Sequence, residues 1–113
     1  MEGGVVVLRN EDVRRVLVGV PRGHRHVRAL IELSDGSKLV LQEATLANIV
    51  RAYIAVATHP LRRGVELVGV RLKERKAGFA EYQLLESGRD EELVVSELAE
   101  AISRELPERG RGE

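Results

Sequence analysis

Apolar residues fall in short runs separated by polar turns, and their spacing predicts most of the elements. Residues 5–9 (Val-Val-Val-Leu-Arg) form a brief β-branched run that Asn10-Glu11-Asp12 punctuates, which predicts a strand. Residues 13–20 predict a second strand, with Val16, Val18 and Val20 alternating onto one face and Pro21 ending the run. Pro21-Arg22-Gly23 reads as a turn. Residues 26–43 predict a hairpin around Ser34-Asp35-Gly36-Ser37, because an Asp-Gly pair favours a two-residue type I′ turn. With Asp35 and Gly36 as the loop, Ile31 faces Val40, Leu30 faces Leu41, Glu32 faces Leu39 and Arg28 faces Glu43.

The period then changes. Leu46, Ile49, Val50, Tyr53, Ile54 and Ala57 recur at helical spacing, predicting a helix over 46–58 with Thr45 as N-cap and Pro60 closing it. Residues 65–73 and 79–86 alternate again and predict a second hairpin with a basic turn at 73–78. Acidic Asp90, Glu91 and Glu92 suit the first turn of a last helix near 90–105, which Pro107 stops. The order β-β-β-β-α-β-β-α argues an α+β domain with a mainly antiparallel sheet of about six strands and two helices. One domain over 1–106 followed by a flexible tail at 107–113 is expected.

The predicted first helix has an unusual second face. Ala47, Ala52, Ala55 and Val56 occupy it, and Arg51 is the sole charge from 44 to 58. A surface helix normally carries a charged outer stripe. Small residues there admit a close neighbour. Either this chain covers the helix on both sides, or Ala47, Ala52, Ala55 and Val56 form a subunit interface, and two-fold homodimers dominate soluble oligomers.

Composition narrows the function classes. The 113 residues hold eighteen basic and eighteen acidic side chains, for a formal charge of zero. The absence of Cys excludes disulfides, thiolate catalysis and Cys-based zinc sites. No apolar run is long enough to span a membrane, and the N-terminal residues lack a signal-peptide pattern, so a cytoplasmic protein is expected. Fifteen Arg and fifteen Glu with only two Asn and two Gln suggest a heat-adapted, thermostable protein.

Candidate chemistry is sparse. His24 and His26 are spaced to share one face of a strand, and His59, or an acid such as Glu43, could supply a third metal ligand. Arg22, Arg25 and Arg28 around the pair raise the cost of binding a cation. Arg14, Arg15, Arg25, Arg28, Arg62 and Arg63 could together contact phosphates. The neutral total and the scarcity of aromatic residues oppose that, since polyanion binders show a basic excess and single strands need stacking platforms. No Gly-x-Ser-x-Gly, Gly-x-Gly-x-x-Gly or Walker pattern occurs, so neither a catalytic residue nor a cofactor is expected. The sequence therefore reads first as a non-enzymatic protein-interaction module acting as a homodimer. A nucleic-acid-associated protein and a metal protein centred on His24 and His26 are the alternatives.

Overall fold

The turn at 33–37 sets the register of the first sheet. In the computed structural model, which describes residues 3–73 and 81–103, Gly36 N–H donates to the Leu33 carbonyl at 2.9 Å and Leu33 N–H to the Ser37 carbonyl at 2.9 Å. The loop therefore has three residues, Ser34, Asp35 and Gly36. Gly36 alone takes a left-handed conformation, at φ 92°. A two-residue type I′ loop would also require Asp35 at positive φ, and no described non-glycine residue has one. Asp35 instead accepts from Ser37 N–H at 3.0 Å and Ser37 Oγ at 2.6 Å. The expected pairing is thus displaced by one residue: Ile31 faces Leu39, Leu30 faces Val40, Glu32 faces Lys38 and Arg28 faces Gln42.

This hairpin is β2 (Arg28–Leu33) and β3 (Lys38–Gln42), and β1 (Val13–Gly19) adds antiparallel on the far side of β2. The register of β1 shifts between Val13 and Arg15, leaving Arg14 as the extra residue. Residues 5–9 are not a strand. Val5 makes an isolated bridge and a 3₁₀ turn, Asn10–Asp12, follows. A β-branched run favours extended backbone, but a strand also needs a continuous ladder with a neighbour.

Helix α1 (Glu43–Thr58) leaves β3 with no loop between them, and Gln42 serves as both last strand residue and N-cap. The helix therefore starts before the expected Thr45, which lies inside its first turn. The second hairpin, β4 (Leu67–Arg71) and β5 (Tyr82–Glu86), pairs Arg71 with Tyr82 and Leu67 with Glu86. Its turn falls largely outside the described residues, as does the expected tail at 107–113. Helix α2 (Glu91–Ile102) is capped by Asp90, whose side chain accepts from Glu92 N–H at 2.8 Å.

The class is α+β, and the described residues form five strands in two antiparallel sheets, β1-β2-β3 and β4-β5, rather than about six in one. Helix α1 joins them, packing most extensively on β5 and also on β2 and β3. A two-stranded ribbon is marginal by itself, so β4-β5 depends on that helix. Among the described residues, Ala29 on the central strand is the one buried apolar side chain, at 2% exposure. No described helix is long and apolar enough to cross a membrane.

Candidate functional site

Helix α1 presents the opposite face from the one its pattern suggests. Ala52, Ala55 and Val56 are half-buried, on the same side as Asn48, whose amide donates to Gln83 Oε1 of β5 at 3.4 Å. Ala47, on the flank, is half-buried too. The bulky stripe faces outward: Ile49 is 46% exposed, Val50 46%, Tyr53 70% and Ile54 51%. In this single chain the bulky stripe is thus the outward side of α1 and the small-residue face the inward one. Small residues let α1 lie close to β5 and the first sheet, and its loopless exit from β3 limits how the helix can rotate. The outward stripe carries no charge, since Arg51 lies off it and is hydrogen-bonded to Asn48 Oδ1 at 3.1 Å.

The first sheet is also apolar on both faces. In the observed register Val16, Val18, Ala29, Ile31, Leu39 and Leu41 share one face, while Leu17, Leu30 and Val40 share the other. Val16 and Leu17 are each 49% exposed, Val18 64% and Val40 58%. An antiparallel sheet with one wet side should alternate apolar with polar residues. This one does not, so apolar surface remains on the outside.

The Arg residues do not assemble into one basic patch. Arg14 and Arg15 both bind Glu32, at 3.2 and 2.5 Å. The hydrogen bond from Arg15 holds the Glu32 carboxyl below its usual range. Burial pushes the other way, and the charges of Arg15, Lys38 and Arg14 reinforce the lowering. Arg62 bridges Glu86 at 2.9 Å and Glu91 at 3.4 Å. The backbone N–H of Arg63 donates to Glu91 Oε1 at 2.7 Å. Arg28 turns back to the Val27 carbonyl at 3.2 Å. Arg22 and Arg25 stand exposed in the turn after β1, with no hydrogen-bond or ion-pair partner among the described residues.

The histidines do not converge. His26 Nδ1 lies 2.9 Å from Glu43 Oε1, and His59 Nδ1 accepts from Leu61 N–H at 3.2 Å. Among the described residues, no group of three or more His, Asp or Glu side chains is placed to hold a metal ion.

One polar cleft was not legible in the sequence. Arg62, Glu66, Glu86, Arg89 and Glu91 line about 470 Å³ between the second hairpin and the start of α2. Arg89 bridges Glu97 at 2.6 Å and Glu66 at 3.3 Å, and Ser87 Oγ donates to Glu66 at 2.8 Å. The hydrogen bond to Glu97 raises the Arg89 guanidinium above its ordinary value, against the opposing effect of burial. Every charged group named here already has a partner, so the cleft joins elements rather than offering free ligands. No local pattern around Arg89 announces partners eight and twenty-three residues away.

Comparison with protein-family models, curated proteins and solved structures finds no match for this chain.

Proposed function

We propose that this chain is a non-enzymatic protein-interaction module that completes its apolar packing as a homodimer, with the outward stripe of α1 as the two-fold seam. The observation that carries the reading is the pairing of a single buried apolar residue among those described, Ala29, with an uncharged exposed stripe at Ile49, Val50, Tyr53 and Ile54. Burial of apolar area is the main driving force for association, and an exposed contiguous patch marks an interaction site. Two such stripes meet without like charges, as an isologous contact requires.

Interface residues are therefore Ile49, Val50, Tyr53 and Ile54, flanked by Ala47. Ala52, Ala55 and Val56 support them from the side of α1 that faces this chain's own sheets. Sedimentation of two variants tests the assignment. Ile54→Glu should yield a monomer with unchanged circular dichroism. Ala55→Glu should instead destabilise the chain by about 2 kcal/mol, because it forces a carboxylate into the half-buried side of α1 that faces this chain's sheets. A monomeric wild type, or an Ile54→Glu variant that stays dimeric, would remove the reading.

The alternatives have weaker support. Contact with nucleic acid would rely on Arg22 and Arg25, since Arg14, Arg15 and Arg62 are held by carboxylates. Metal binding at His24 and His26 would need ligands that the described residues do not bring together.

A further inference from the structure

The strand order β1-β2-β3 leaves β1 and β3 as edges. Strand β3 is guarded. It has five residues, begins at Lys38 and runs directly into α1. Strand β1 is longer, at seven residues, and the stretch 16–20 (Val-Leu-Val-Gly-Val) carries no charge. Val16, Leu17, Val18 and Val20 are 49, 49, 64 and 54% exposed. The register shift lies at its Arg14 end and leaves 16–19 in regular pairing. Natural edges are usually blunted by inward charge, Lys, Pro or a bulge along their length. The middle of β1 has none of these.

Charge at the two ends decides what such an edge accepts. At the start, Arg14 and Arg15 share one carboxylate, Glu32, and keep a net positive charge. Past the end, Arg22 and Arg25 are exposed and have no partner among the described residues. A second β1 laid antiparallel would bring its Arg14 and Arg15 towards Arg22 and Arg25, and a parallel copy would set like beside like. A second copy is thus disfavoured. Nucleic acid could meet the guanidiniums, but it offers no alternating N–H and C=O row and would leave Val16 to Val20 uncovered.

We propose that the β1 edge takes up an extended segment of a partner protein as a fourth strand, the segment having an apolar alternating centre and acidic residues at both ends. Main-chain hydrogen bonds supply affinity and the flanking charges supply direction and selectivity. The proposal extends the reading of the chain as an interaction module but does not depend on its dimerisation.

The test is fluorescence anisotropy with the full chain and a labelled peptide, Glu-Glu-Val-Thr-Val-Thr-Val-Glu-Glu. Two controls replace the terminal Glu residues by Lys or N-methylate alternate amides. The acidic peptide should bind, both controls should bind at least about tenfold more weakly, and a double Arg22→Glu, Arg25→Glu variant should lose about tenfold in affinity. Amide exchange should slow at 16–19. Equal binding of the N-methylated peptide, protection at 49–54 instead, displacement of the peptide by a mixed-sequence single-stranded oligonucleotide, or no binding would each overturn the proposal. Repeating the titration with Ile54→Glu separates the two readings. Binding by a monomer supports the strand edge whatever becomes of the dimer, and a dimer that ignores the peptide leaves only the dimer standing.

Discussion

The two halves of the molecule are held together by different forces. In the first, β1, β2, β3 and α1 follow one another closely, and the sheet centres on Ala29, the one buried apolar side chain among the described residues. In the second, α2 is tied down mainly at its start. Arg62 and Arg63 N–H hold Glu91, Arg89 spans Glu66 and Glu97, and Gly64 lies buried against Val94 and Val95. Leu93, Leu98 and Ile102 on α2 stay more than half exposed. A half built on contact area responds to changes in volume and burial. A half built on exposed ion pairs responds to salt.

The largest effect should come from charging the centre of the first half. Ala29→Glu places an uncompensated carboxylate at a 2% exposed position and should cost about 3–5 kcal/mol, read as loss of the cooperative urea transition. A variant that keeps the wild-type midpoint would mean that β2 is not the centre of stability.

A smaller loss should follow at the joint of the second half. A Cβ added at Gly64 would sit 3.0 Å from Val95 Cγ1 and 3.4 Å from Val94 Cγ1. Gly64→Ala should therefore push α2 outward at a cost of about 1 kcal/mol, with faster amide exchange in 91–102 and little change in β1-β2-β3. Uniform acceleration across the chain would show that the halves unfold as one.

The smallest effects separate the halves by solvent. Because Glu32 is held below its unfolded value, its contribution is complete above about pH 4.3 and drains away as the pH falls through the lower folded value. Glu32→Gln should flatten that part of the acid denaturation curve. Raising salt to about 1 M should loosen α2, whose Arg89 and Arg62 pairs are partly exposed, before it affects the sheet. The reverse order would invert the comparison.

Local chemistry was read well where one residue type forces one geometry. Pro21 ends β1, Gly36 bends the hairpin, and the acidic run at 90–92 opens α2. The Asp35-Gly36 pair also shows the limit of that reading. It located the turn but not its length, because a two-residue loop and a three-residue loop use the same dipeptide with different φ at Asp35. One residue of difference moved every pair in β2-β3. Likewise, the valines at 5–7 favour extension, yet they make no continuous ladder.

Sequence alone determined the α+β class, the antiparallel hairpins, the two helices and the existence of an uncharged apolar stripe along 46–57. Those features depend on periodicity and turn chemistry, which act over a few residues. Tertiary structure alone decided that the described strands split into two sheets, that α1 turns its small residues inward and Ile49, Val50, Tyr53 and Ile54 outward, and that Arg14 and Arg15 are tied to Glu32 while Arg22 and Arg25 find no partner among the described residues. Each of these depends on which surfaces meet across long stretches of chain. A helical repeat fixes that a stripe exists but not its direction, because the same period serves a core and an interface equally well.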